Sequence, residues 1–261
     1  MKYLLILTIC LITLSAYPQK SLFNGKNLKN WDIYLGSPIK GFEDLAKKAT
    51  PETTYQVVQI NGQKMIHVSG ELFASLATKA EFENYHLHLE FKWGDKVYGQ
   101  QNSGLLYHSF GPFGKAFGTW MATIEHQMMH GSLGDTYLMA NTYCETKVIK
   151  TGDGKDYMYD PEGLPISFSE TDNGRSIKKA YDAEKPLGEW NAIDLYCFGQ
   201  STIHVVNGQA VMVNTKCSKI ENGQKIPLTK GKIQIQSEGG ELLIRKISIQ
   251  KIKGLPSDFL R

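Results

Sequence analysis

Tyr85, Leu87, Leu89, Phe91 and Trp93 alternate with His86, His88, Glu90 and Lys92. Apolar residues at every second position specify a β-strand with one buried face and one wet face, and they do not fit a helix. Residues 55–60 and 64–68 flank Asn61-Gly62, and 202–206 and 209–213 flank Asn207-Gly208. Asn-Gly readily adopts the two positive-φ positions of a tight hairpin, so both pairs are predicted to be hairpins. Further strands are expected over 103–109, 123–129, 135–143, 191–198, 232–236 and 242–252. Helical periodicity is weak, and only 41–48 reads as a short helix, with Glu43 and Asp44 early and Lys47 and Lys48 late. Short strands separated by Gly-rich turns predict an all-β, two-sheet sandwich or jelly roll. Residues 150–186 are polar, hold Gly152, Gly154, Pro161, Pro165 and Gly174, and read as a long excursion from a single domain.

With 261 residues the chain is long enough to bury a large core, and its 11 Phe, 13 Tyr and 4 Trp exclude a disordered class. Lys and Arg number 29 against 26 Asp and Glu. So small an excess gives no electrostatic ground for a nucleic-acid partner. Met1-Lys2, an apolar run over 3–14 and then Ser15-Ala16-Tyr17-Pro18-Gln19 read as a secretory signal, residues 1–19, cleaved between Ala16 and Lys20. The mature domain, 20–261, is then expected to be periplasmic or secreted. The apolar run is too short to span a bilayer comfortably, so no stable membrane span is expected. Cys144, Cys197 and Cys217 lack metal-type spacing and read as buried thiols.

Polar and aromatic residues concentrate over 100–140, where Asn102-Ser103-Gly104, Tyr107-His108, Trp120 and Ile124-Glu125-His126-Gln127 follow one another. On a strand Glu125 and Gln127 share a face, which offers a carboxylate and an amide to a sugar ring or is simply a solvated surface. Gln236 and Glu238 share a face in the same way, before the turn-forming pair Gly239-Gly240. A second carboxylate in the same cleft would suit acid–base work at a glycosidic bond. His86-x-His88-x-Glu90 has the look of a metal site, but nothing nearby completes a ligand set, and it reads as the polar side of its strand.

Taken in order, these stretches resemble one family. Leu22-Phe23-Asn24-Gly25-Lys26-Asn27-Leu28 with Trp31, then Glu90-Phe91-Lys92-Trp93, Asn102-Ser103-Gly104-Leu105 and Ile124-Glu125-His126-Gln127-Met128 are similar to successive motifs of the 3-keto-disaccharide hydrolase domain family. So are Gly131 to Tyr137, Gly188-Glu189-Trp190-Asn191, Asn207-Gly208, and Gly231 to Ile247 with Gln236, Ser237, Glu238, Gly239 and Arg245. Thr136-Tyr137 and Lys246 depart from the family pattern. The resemblance implies a concanavalin-A-like jelly roll and an enzyme that cleaves 3-keto glycosides or disaccharides. It implies Glu125, His108 and Glu238 as catalytic residues, with Asn102, Trp120, Gln127, Asp135 and Gln236 contacting the sugar. A divalent metal that polarises the ketone is compatible with this chemistry, although the chain displays no clear ligand set. The expected partner is a small carbohydrate. The competing expectation is a lectin-like binding module without turnover. A conventional endo-glucanase is disfavoured, because no strand carries the paired carboxylates of an ExDxE pattern.

Overall fold

The computed structural model describes residues 18–260. The expected secretory signal, as far as residue 17, lies outside the described residues. Twenty strands, two single-turn α-helices and one 3-10 turn make up the described chain, and the strands form two large sheets. The first sheet runs Ser176–Ile177, Thr136–Met139, Ala122–Gln127, Gly104–Phe110, Lys230–Ser237, Leu72–Thr78 and Trp31–Pro38 in spatial order. The second runs Tyr157–Tyr159, Thr142–Lys150, Gln209–Glu221, Ser201–Val206, Asn191–Phe198, Tyr85–Val97, Gly240–Lys251, Gln63–Val68 and Tyr55–Ile60. Neighbours along both sheets are antiparallel. The architecture is a concanavalin-A-like sandwich.

The alternation at Tyr85–Val97 sets the layering. Tyr85, Leu87, Leu89, Phe91 and Trp93 are all buried between the sheets, against Leu105, Ile124, Ile235 and Leu76 of the first sheet in one continuous core. Removing that apolar surface from water is the main favourable contribution to folding. On the opposite face His86 and His88 share the Asp194 carboxylate at 2.6 and 2.8 Å, and Glu90 is paired with Arg245 at 2.5 Å. The His-x-His-x-Glu pattern is therefore an outer hydrogen-bonded network. Cys144, Cys197 and Cys217 are buried and unbridged, as their apolar settings suggested.

Both expected Asn-Gly hairpins form, with φ of 48° and 80° at Asn61-Gly62 and of 48° and 84° at Asn207-Gly208. A third, at Asn222-Gly223, joins Gln209–Glu221 to Gln224–Pro227. The expected helix contracts to one turn, Glu43–Ala46. The run 135–143 is not one strand. It breaks at Ala140 and Asn141, both with positive φ, where the chain leaves the first sheet for the second. The excursion over 150–186 is not structureless either. Leu164–Phe168 pairs with Thr142–Lys150, and Ser176–Ile177 pairs with Thr136–Met139, so it closes one side of the sandwich across both sheets.

Candidate active site

A cleft of about 350 Å³ opens on the outer face of the first sheet, a size suited to a small ligand. Asn102, Trp120, Glu125, Gln127, Gln236 and Glu238 line it together with Ser37, Phe73, Phe117, Tyr137 and Met139. The sheet's register explains the convergence. Ala122–Gln127 and Lys230–Ser237 lie on either side of Gly104–Phe110, with Leu106 opposite Glu125 and Leu105 opposite Ile235. Gly104 leaves the space between them open. A Cβ there would overlap both Glu125 Oε1 and Gln236 Oε1. The Ser103 hydroxyl, donating to the Gln236 carbonyl at 2.9 Å, fastens the Asn102-Ser103-Gly104 turn to the neighbouring strand.

Two glutamines on one strand face show how the site is left open. Gln234 is fully engaged: its Oε1 accepts from the Ser75 hydroxyl and the Met121 amide, and its Nε2 donates to the Ser109 hydroxyl. The loop around Trp120 covers that part of the sheet, with the indole N–H donating to the Ala74 carbonyl at 3.1 Å. Gln236, two residues on, is 1% exposed, and its Oε1 has no partner. Glu125 Oε1, on a residue 3% exposed, and Asn102 Oδ1 are unpartnered as well. Buried acceptors left without donors are costly, so three of them around one cleft mark a place for a ligand's hydroxyl groups.

Gln127 is oriented by its own backbone. Its Oε1 accepts from the Met128 and Met129 amides, both at 2.9 Å, which commits the oxygen and leaves the NH2 as the donor end. Gly239, at φ +105°, supplies the turn just beyond Glu238, and its amide donates to the Gly70 carbonyl.

The electrostatics are those of a poorly solvated carboxylate pair. Burial pushes Glu125 well above the usual carboxylate range, and the charges of Glu238 and Asp135 raise it further. Burial likewise lifts Glu238 to about 8. Among the described residues no Lys, Arg or His lines the cleft to offset them. Two poorly solvated carboxyls so placed resist ionising together, so when one is ionised and able to act as a base the other keeps its proton and can act as a donor.

Two expected site residues are not brought to the cleft wall. His108 sits at a bulge with φ of 52°, where the register between Gly104–Phe110 and Ala122–Gln127 shifts. Regular alternation from Gly104 and Leu106 would point it into the cleft; the bulge turns it into the sandwich interior. There it is buried against Tyr85 and Tyr107, both ring nitrogens lack partners, and burial lowers it to about 4. Asp135 lies behind the wall, accepting from the Lys179 amide at 2.8 Å, and burial raises it to about 6. Its influence on the site is the charge it presents to Glu125. Phe73, Phe117, Met139 and Ser37 carry no motif or periodicity that would have flagged them. Among the described residues no group of three or more His, Cys, Asp or Glu side chains is arranged to hold a metal ion. The oxygens of Glu125, Glu238, Gln236 and Asn102 are those an entering cation would meet.

Residues 18–250 match the 3-keto-disaccharide hydrolase family model, described as the 3-keto-alpha-glucoside-1,2-lyase-like domain. The chain belongs to this family. That membership places it among carbohydrate-active enzymes. Two crystal structures of candidate glycosyl hydrolases from Parabacteroides distasonis ATCC 8503 share its fold. One is 21% identical with a TM-score of 0.50, covering 90% of this chain and 100% of its own. The other is 18% identical with a TM-score of 0.52, covering 90% and 94%. A Bacillus licheniformis β-glucanase is 10% identical, with a TM-score of 0.46 over 92% of this chain and 100% of its own. No curated protein matches the chain.

Proposed function

We propose that this protein cleaves the glycosidic bond of 3-keto glycosides or disaccharides by elimination followed by hydration, with Glu125 and Glu238 as its acid–base pair. The observation that carries the reading is the pair itself: two poorly solvated carboxylates on neighbouring parts of one sheet, facing a cleft with unpaired amide and carboxylate oxygens. A ketone at C3 acidifies the C2 hydrogen, because the resulting carbanion delocalises as an enolate. The ionised carboxylate removes that proton. The electron pair then forms the C1–C2 double bond and expels the oxygen at C1, which takes a proton from the neutral partner. Addition of water across the double bond gives net hydrolysis. Amide groups of Gln127, Asn102 and Gln236 supply the donors for the enolate oxygen and the sugar hydroxyls. With His108 turned away, both proton transfers fall to the glutamates.

Family membership supports a carbohydrate substrate, and a cleft wall without a basic side chain among the described residues suits a neutral one. The amino-terminal apolar run supports export, which cell fractionation with amino-terminal sequencing of the mature chain would test. Among the described residues no helix is long and apolar enough to cross a membrane. The decisive test of the chemistry is incubation with matched oxidised and unoxidised glycosides. Cleavage only after oxidation at C3 supports the elimination. Cleavage of both indicates an ordinary glycosidase, and binding without cleavage indicates a lectin-like module.

A further inference from the structure

Three histidines lie in the sandwich core, and the proton transfers assigned to the glutamates use none of them. His126 and His204 are fully buried and stack face to face, with ring centroids 4.2 Å apart and planes within 3°. His126 comes from Ala122–Gln127 of the first sheet and His204 from Ser201–Val206 of the second, so the stack bridges the two sheets. Tyr107 meets His204 edge-on at 5.6 Å, and His108 lies 5.4 Å from Tyr107. Apolar side chains of similar size would fill this place with no polar atoms to satisfy.

The stack is built for neutral rings. His204 Nδ1 stands 3.0 Å from the Gly134 carbonyl, which can only accept, so this nitrogen carries the proton. Its Nε2, 3.0 Å from the Tyr107 hydroxyl, is then the acceptor. Neither ring nitrogen of His126 has a partner. A second proton on His126 would therefore add a charge and an N–H donor to the core with no acceptor to meet them. The groups around the stack do not compensate. Tyr107 and the thiols of Cys144, Cys197 and Cys217 that surround it are held neutral by burial, as is Tyr85 against His108. Asp135, which follows Gly134, commits a carboxyl oxygen to the Lys179 amide, and the Lys179 ammonium pairs with Asp182. Glu125, the chain neighbour of His126, emerges on the other side of the strand, in the cleft. Burial accordingly holds His126 well below the usual histidine range, with His204 lowering it further, and burial lowers His204 to about 4.

We infer that the His126–His204 stack is an acid-operated release between the two sheets. At neutral pH it holds Ala122–Gln127 against the second sheet; protonation of the pair parts the sheets at this strand and reversibly dismantles the cleft. Like charges 4.2 Å apart in the interior repel strongly, because little water screens them. The strand that carries His126 inward carries Glu125 outward, so the cleft is the part of the surface that feels the charge first. This holds whatever reaction the cleft performs. The direction follows from the proton count: between about pH 6.5 and pH 4 the opened rings bind protons that the closed ones refuse, so stability falls as pH falls through that interval. Glu238 acts in the opposite sense, which makes a comparison of variants more telling than the pH curve of wild type alone.

The test is hydrogen exchange of wild type and His126→Leu between pH 7 and pH 5, corrected for the intrinsic pH dependence of amide exchange. In wild type the opening of residues 122–127 and 201–206 should rise by about tenfold per pH unit below pH 6, the slope of one proton taken up. Gly240–Lys251 should stay protected over the same range, and a return to pH 7 should restore the lost protection. The His126 ring makes no hydrogen bond, so His126→Leu should fold, and it should flatten the slope. Its melting temperature relative to wild type should be higher at pH 5 than at pH 7. Should His126→Leu not fold, His126→Phe, which keeps a stacked ring, takes its place. Acid opening that is absent, or uniform over all strands, or the same in wild type and variant, overturns the inference, as does a melting difference independent of pH.

Discussion

Gly104 is the residue on which the cleft turns. Its backbone is not in the left-handed region, so the demand for glycine is one of space: a methyl group would run into the carboxylate of Glu125, whose Cδ would lie 2.9 Å away. Gly104→Ala should therefore displace the carboxylate and cut turnover of a 3-keto glycoside by about 100-fold, the scale of a misplaced catalytic group. The far-ultraviolet circular dichroism spectrum should remain that of a β-sandwich, and full activity in the folded variant would contradict the packing described. At Glu238 the consequence is one of pH. Its folded value, about 8, lies above the ordinary carboxylate value of 4.5, so the folded state binds its proton more tightly than the unfolded chain. Stability is then lost as pH rises through the interval between those values. Glu238→Gln removes the ionisation, so its melting temperature should exceed that of wild type by more at pH 8.5 than at pH 5. A difference independent of pH would show that the carboxyl is not desolvated. Strand alternation puts Glu125 and Gln127 on one side of their strand, and Gln236 and Glu238, the latter just past the end of its strand, line the same cleft. Alternation offered nothing for Phe117, because a loop aromatic belongs to no period.

At the scale of single elements, regular strands were legible and departures from regularity were not. Tyr85–Val97 announces its buried face, and the Asn-Gly hairpins announce their turns. The bulge at His108 and the break at Ala140 and Asn141 have no Gly or Pro to mark them, yet they decide which way a histidine points and where the chain changes sheets. The bulge carries a prediction. Since it turns His108 into the interior, His108→Phe should keep kcat/KM within about threefold of wild type, whereas removing a proton-transferring group costs about 100-fold or more. A 100-fold loss in a variant with unchanged thermal stability would return His108 to the reaction. Trp31–Pro38 and Leu72–Thr78 escaped the sequence reading for a different reason. They lack strict alternation, since Leu72–Thr78 is largely buried on both faces where the loop bearing Trp120 lies over it.

At the scale of the whole molecule, the sandwich assigns its two outer faces different tasks. The second sheet carries polar and charged groups that satisfy one another, as His86, His88, Asp194, Glu90 and Arg245 do. The first carries a cleft whose acceptors are left unsatisfied. The loop holding Trp120 covers part of that face and limits it to a cleft of about 350 Å³. That contrast, together with family membership, supports the proposal that the first sheet is the working face, and the near balance of 29 basic against 26 acidic residues suits an uncharged ligand. The most direct test of the central claim is product analysis for wild type and Glu125→Gln, each given a glycoside before and after oxidation at C3. Wild type should release the leaving group from the oxidised substrate alone, and Glu125→Gln should lose at least about 100-fold of that activity while remaining folded. Equal cleavage of both substrates by wild type, or undiminished turnover by Glu125→Gln, would contradict the claim.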